Sequence, residues 1–231
     1  MSKIQWEKPK VTVEQVLDHN GSVPVYNKSD FVIQDGVLVE YTGNGGDILI
    51  PPKVSKIGKN AFEGCMTLTS VVFPPTVKKI GSYAFYGCRN LVKIKFSSEL
   101  KRIGEWAFCE CGCLTDIEFP SGLFRINIGD NSFGGTMLEK ENQENFVIRG
   151  GHLMKYTGNS RNVVIPNGVV EIDAIAFSDS KTITSVVFSN SVEKIRGYAF
   201  DNCLNLKSVI MTAHVRLISD CAFFRCNNLK V

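Results

Sequence analysis

Ile57-Gly58-Lys59-Asn60-Ala61-Phe62-Glu63-Gly64-Cys65-Met66-Thr67-Leu68-Thr69-Ser70-Val71-Val72-Phe73-Pro74 decides the fold, because the chain writes this stretch again and again. Its marker, Ala-Phe, stands at Ala61-Phe62, Ala84-Phe85 and Ala107-Phe108, then at Ala176-Phe177, Ala199-Phe200 and Ala222-Phe223. The spacing is 23 residues within each trio and 115, five times 23, between trios. Around the first marker the apolar set is Val54, Ile57, Ala61, Phe62, Cys65, Leu68, Val71 and Phe73. The second is Val77, Ile80, Ala84, Phe85, Cys88, Leu91, Ile94 and Phe96, and the same places are apolar in the later copies except for Ser180 in the Cys place of one. Neither a 3.6-residue nor a 2-residue period runs through the unit, so each copy mixes conformations. A 23-residue unit cannot bury that many apolar side chains alone, whereas stacked coils share one continuous core. The pattern predicts a solenoid.

Within a coil, Leu68-x-x-Val71-x-Phe73 ends in the two-residue alternation of a short strand with one buried face. Proline often follows (Pro74, Pro120, Pro166), where a missing N–H ends the ladder at little cost. Successive strands are then expected to stack in parallel, about 4.8 Å apart. Ala-Phe-x-x-Cys is read as a tight helical turn, which makes the expected class an α/β repeat solenoid. The motif Ile-Gly-x-x-Ala-Phe-x-x-Cys-x-x-Leu-x-x-Val-x-Phe-Pro, six copies in register over about residues 31–231, resembles the BspA-type leucine-rich repeat of bacterial surface and host-association proteins. That resemblance implies a curved, right-handed leucine-rich-repeat solenoid, a role in protein binding or adhesion, and a place at the cell surface or outside the cell.

Before each trio lies a second repeated element. Phe31-Val32-Ile33-Gln34-Asp35-Gly36-Val37-Leu38 and its continuation to Asn44 match Phe146-Val147-Ile148-Arg149-Gly150-Gly151-His152-Leu153 and its continuation to Asn159. Asp35-Gly36 and Gly150-Gly151 between apolar runs predict two inserted β-hairpins. Asp47-Ile48-Leu49-Ile50 and Asn162-Val163-Val164-Ile165 then stand 23 residues before the next strand and are expected to join its sheet in register. The organisation read this way is an N-terminal cap with a short helix over 1–30, a first hairpin-and-repeat block over 31–133, a polar loop over 134–145 and a second block over 146–231. The two blocks are expected to form one continuous solenoid. Thr12-Val13-Glu14-Gln15 resembles a capping box for the cap helix. Ile128-Gly129-Asp130-Asn131-Ser132-Phe133 reads as a coil displaced by two residues, after which the polar run 139–145 leaves one rung missing or irregular.

Composition narrows the function. With 44% hydrophobic and 21% charged residues the chain is globular, and its net charge of +3 does not nominate nucleic acid or anionic lipid. No apolar run suits membrane insertion. The start, Met1-Ser2-Lys3-Ile4-Gln5-Trp6, lacks the apolar stretch of a signal peptide, so a cytoplasmic place follows if the chain as written is full length. An intracellular scaffold or assembly subunit is therefore the alternative to a surface adhesion module.

No catalytic, cofactor or metal site is expected. Cys65, Cys88, Cys111, Cys203 and Cys226 follow the repeat Phe by three residues and read as core thiols. Cys109-x-Cys111-x-Cys113 lacks the spacing of a zinc site, and His19, His152 and His214 are read as exposed and unallied to any repeated acid. Gly58, Gly81 and Gly104 are replaced by Asp173, Arg196 and Ser219 in the second trio, which predicts ordinary backbone angles there. The functional expectation rests on the sheet face, where alternate residues point away from the core. Lys93 and Lys95 are expected beside Asp116 and Glu118 on the next rung. Leu49, Val72, Val164, Val187 and Ile210 are expected to form outward apolar columns that dock a protein partner, with the loops around 139–145 as the other candidate surface.

Overall fold

A computed structural model describes residues 28–119, 122–139 and 144–230, with only the backbone of Lys28 and of residues 123–125. The expected cap helix, His19, Pro120 and residues 140–143 of the polar loop lie outside the described residues. The chain forms a solenoid of about eight stacked coils of roughly 23 residues, built from parallel sheets.

Each block opens with its hairpin. β1 (Phe31–Gln34) pairs antiparallel with β2 (Val37–Tyr41), and β12 (Phe146–Arg149) with β13 (His152–Tyr156). Asp35 and Gly36 take positive φ at the first turn, as do Gly150 and Gly151 at the second, which is the geometry a two-residue hairpin loop needs. The coils follow. In the first block β3 (Gly46–Leu49), β5 (Leu68–Val72), β7 (Lys93–Lys95) and β9 (Asp116–Glu118) form a parallel sheet with Asp47, Ser70, Lys93 and Asp116 in one row. The 23-residue register thus appears as hydrogen-bonded strand pairing.

A second parallel row, not visible in the sequence pattern, closes each coil. β4 (Lys56–Ile57), β6 (Lys79–Ile80), β8 (Arg102–Ile103) and β11 (Asn127–Ile128) continue the sheet begun by β2. Two residues are too few to show an alternation of their own, yet Ile57, Ile80, Ile103 and Ile128 all point into the core. The second block repeats the plan. β14 (Asn162–Val164), β16 (Ser185–Val187) and β18 (Ser208–Met211) form one sheet, while β15 (Glu171–Ile172), β17 (Lys194–Ile195) and β19 (Leu217–Ile218) extend the hairpin sheet.

Between the two rows the Ala-Phe-x-x-Cys stretch is not helical. It is a run of turns with two left-handed residues four apart, at Tyr83 and Gly87 in one coil and Ile175 and Asp179 in another. Among the described residues, helix is confined to a 3-10 turn at Lys28–Asp30 and one turn at 137–139. The helical expectation fails because a short turn carrying αL residues spans the core more tightly than a helix with 1.5 Å rise per residue. This turn puts one Phe per coil in the interior. Tyr41, Phe62, Phe85, Phe108 and Phe133 stack in a column with centroid spacings of 4.9, 4.6, 5.0 and 5.5 Å. Tyr156, Phe177, Phe200 and Phe223 stack at 5.2, 4.6 and 5.1 Å. The hairpin tyrosine starts each column, and its hydroxyl also accepts a hydrogen bond from Gly45 N or Ser160 N, latching the following turn.

The periodic cysteines do more than fill space. Cys88 Sγ donates to Phe62 O at 3.0 Å and Cys111 Sγ to Phe85 O at 3.1 Å. Cys203 and Cys226 donate likewise to Phe177 and Phe200. The hydrogen bond with Cys88, together with burial, pushes the Cys111 thiol far up, so it stays a neutral donor. Off the pattern, Cys109 is buried and raised to about 11, chiefly by desolvation, while Cys113 and Cys221 are exposed. Gly58, Gly81 and Gly104 have ordinary φ, yet a Cβ on Gly104 would stand 2.4 Å from Ser82 N. In the first block this glycine permits close coil contact rather than an unusual angle.

The expected continuous sheet face is interrupted at the junction. β10 (Gly122–Arg125) leaves the first block and pairs in parallel with β18, so the sheet of β3, β5, β7 and β9 ends at β9 while the β8 row goes on to β11.

Candidate interaction surface

The outward positions of the two strand sheets meet different fates. In the first block Asp47, Leu49, Val72, Lys93 and Lys95 are half-buried on an open face. Asp47 Oδ1 accepts hydrogen bonds from Thr69 and Ser70 hydroxyls at 2.7 Å each. One rung on, the expected charge ladder is present. Lys93 Nζ lies 3.2 Å from Asp116 and 2.5 Å from Glu118, and Lys95 Nζ lies 3.6 Å from Glu118. Such cross-strand pairs contribute about 0.2–1 kcal/mol each. Partial burial works to raise the Glu118 carboxyl, but the Lys93 and Lys95 ammonium groups outweigh it and hold it below the usual carboxylate range. The hydrogen bond to Glu118 raises Lys93 in turn.

In the second block the corresponding face is covered, which corrects the expectation of exposed apolar columns there. Val187 is 3% exposed, Ile210 0%, and Val164 half-buried, and all three pack with the core of the first block rather than with their own. Strand alternation does turn these side chains away from the second core, as expected. They then meet Ile117, Ile126, Ile128 and Phe133, which would otherwise form the open end of the first core. Polar neighbours seal the contact. The Asn162 carboxamide, with its nitrogen toward Ile117 O at 3.1 Å and its oxygen toward Ile117 N at 3.2 Å, pairs with the free edge of β9. Ser208 Oγ donates to Phe119 O at 3.3 Å, and the Asn190 amide donates to Ile128 O and Asp130. An unpaired strand edge invites association, and a side chain here blunts it. The loop candidate is not open to comparison, since residues 140–143 lie outside the described ones; Glu139 caps Gly135 N at 2.8 Å.

One cluster escaped the sequence reading. His152, at the hairpin of the second block, stands 3.1 Å from Asp173 and 3.8 Å from Glu171, so it is allied to acids after all. Strand pairing sets His152 beside Glu171 at a separation of 19 residues, as it does Val37 beside Lys56, so the 23-residue repeat gave no signal for it. The three could offer one ligand atom each to a metal ion. Glu171, however, is buried and already bound to Arg196 Nε at 2.5 Å, with Lys194 Nζ at 3.9 Å. The Arg196 hydrogen bond foremost holds its carboxyl below the usual range. Two cations occupy the place a third would need.

The family described as BspA type Leucine rich repeat region matches in six copies over residues 39–152 and 150–231. No curated protein matches the chain. Among solved structures, the chain is similar to a leucine rich repeat protein of T. pallidum, at 26% identity and TM-score 0.47, covering 89% of this chain and 90% of that one. It is also similar to a leucine-rich repeat protein from Bacteroides ovatus, at 23% identity and TM-score 0.39, covering 85% of this chain and 53% of that one.

Proposed function

Because the chain belongs to the BspA-type leucine-rich repeat family, we propose that it is a non-enzymatic module that binds another protein through the open sheet face of its first block. Leu49 and Val72 supply the apolar contact, and Lys93, Lys95, Asp116 and Glu118 supply a charged border that selects the partner. The observation that carries this reading is the asymmetry of the two faces. The second block's face is engaged within the chain, and the first block's face is open with half-buried apolar residues beside an ordered charge ladder. Val164, Val187 and Ile210 take no part, since they are occupied at the junction. Adhesion to a protein of another cell or matrix is the finer form of the proposal, in keeping with the family resemblance. A non-enzymatic role is supported by the His152 cluster being closed by Arg196 and Lys194.

The test compares proteins retained by the parent with those retained by Val72→Lys combined with Lys95→Glu, both variants verified as folded. Loss of the same specific partner supports the open face. Retention of an identical set by both places recognition elsewhere.

A further inference from the structure

The first block carries charge that protein binding through the sheet face leaves unused. On its other row, three successive rungs read Ser55-Lys56, Lys78-Lys79 and Lys101-Arg102. Five of these six side chains are basic, and all five are exposed. Lys56 is the strand partner of Lys79, and Lys79 of Arg102, while Lys101 N donates to Lys78 O. Like charges therefore stand on rungs about 4.8 Å apart, an arrangement that disfavours the free protein. Among the described residues none of the five has an acidic group within ion-pair distance.

Both other comparable rows are neutralised. Lys93 and Lys95 meet Asp116 and Glu118 on the sheet face. In the second block the same three rungs read Val170-Glu171, Glu193-Lys194 and Arg216-Leu217, two acids against two bases, with Glu171 further tied to Arg196. An array without counter-charge among the described residues is thus particular to the first block.

We infer that this array binds a sulfated polysaccharide. It is two residues wide and runs along the stacking direction, a shape that follows a linear polyanion rather than a membrane plane. Four of its five cations are lysines, compact charges on flexible stems suited to closely spaced sulfates. None of the described residues of these rungs is aromatic, whereas single-stranded nucleic acid binding relies on aromatic side chains that stack bases. A flat two-residue rung also presents nothing that enters the groove of a double helix. The small overall charge of +3 hid the array, because 23 acidic residues along the chain offset most of the 26 basic ones.

A heparin oligosaccharide titrated into the full chain over a salt series tests this. Binding should weaken steeply with salt as counterions are released. Lys79→Glu with Arg102→Glu should lower the affinity at least about tenfold, by removing the centre of the array. Lys155→Glu with Arg216→Glu, the same change in net charge on the second block, should alter it less than about twofold. If the glutamates unfold the chain, Lys79→Gln with Arg102→Gln gives the same comparison. No binding by the parent, equal losses for the two pairs, or tighter binding to single-stranded DNA or to anionic vesicles would overturn the inference. Capture of a protein partner by the sheet face is measured separately and does not depend on these residues.

Discussion

Val72 and Val187 are the same residue at the same place in two copies 115 residues apart, yet they live in different surroundings. Val72 lies half-buried on the open face of the first block, and Val187 is 3% exposed at the junction, packed with the end of the first core. Their coils, strand pairings and inward neighbours correspond, so nothing local separates them. The difference arises where the repeat decays. After β9 the chain abandons the first sheet, and the second block turns its outward face onto the end of the first core. A solenoid core left open at its end exposes apolar rings and strand edges, which capping elements ordinarily cover. Here one block caps the other and gives up its own face in doing so. The repeat thus determines the coil, while the junction determines which face remains for a partner.

The comparison can be pressed first in the core. Phe85→Ala and Phe200→Ala should each cost about 3–5 kcal/mol in urea melts, because each empties a site stacked on both sides. Phe133→Ala should cost less, since among the described residues its ring stacks on Phe108 alone and it lines a cavity shared with Val164 and Val187 of the second block. Equal losses at all three would mean that the junction packs as tightly as an inner coil.

Coil spacing comes next. Gly104→Ala should cost about 1–3 kcal/mol, because its Cβ would meet backbone atoms of the preceding coil that have no room to give. The matching change in the second block, Ser219→Ala, should stay within about 0.5 kcal/mol. Thermal melts of the pair decide whether the first block is the more closely wound.

A reciprocal exchange tests the left-handed turn position. Ile175 holds a β-branched side chain at φ 60° and is 66% exposed, whereas Asn60, its counterpart, holds the same φ with a residue suited to it. Ile175→Asn should stabilise by about 1 kcal/mol and Asn60→Ile should destabilise by about as much. Changes of the same sign would show that side-chain contacts, not backbone strain, govern this position.

The smallest expected effect concerns the charge ladder of the open face. Glu118 is held below the ordinary carboxylate range, so the stability it contributes is present above about pH 4.3 and lost as pH falls through its lowered folded value. Its side chain is 39% exposed, and solvent screening keeps the contribution under about 1 kcal/mol. Lys93→Gln with Lys95→Gln should remove that pH dependence in acid titrations of stability. The covered face of the second block, with Ser208 and Ile210 in the places of Lys93 and Lys95, has no such charges to lose.

Much of this was legible in the residues. Period 23 gave the coils, alternation gave the inward set, Asp35-Gly36 and Gly150-Gly151 gave the hairpins, and register placed Lys93 and Lys95 beside Asp116 and Glu118. The Lys56–Ile57 type of strand was not legible, because two residues carry no period. Nor was the left-handed turn, since Asn, Tyr, Trp, Ile and Cys all occupy it and no common residue type announces it. The burial of Val187 and Ile210 was missed because alternation tells which way a side chain points, not what it meets. A faint signal existed: the second block has no charged residue at outward strand positions, where the first has Asp47, Lys93, Lys95, Asp116 and Glu118. Ser208-Val209-Ile210-Met211 reads accordingly as a strand buried on both faces.

The most direct measurement is therefore the pair of urea melts for Val72→Lys and Val187→Lys. Glu139 lines the same cavity as Val187, so both melts are made in a Glu139→Gln background. At Val187, 3% exposed, the ammonium would enter a largely apolar contact between two cores, costing about 3 kcal/mol or more. At Val72 it can reach water along the open face, and the loss should stay under about 1 kcal/mol. A gap of that size supports a second block seated on the first. Equal small losses at both valines would contradict it, leaving two open faces and two candidate binding surfaces.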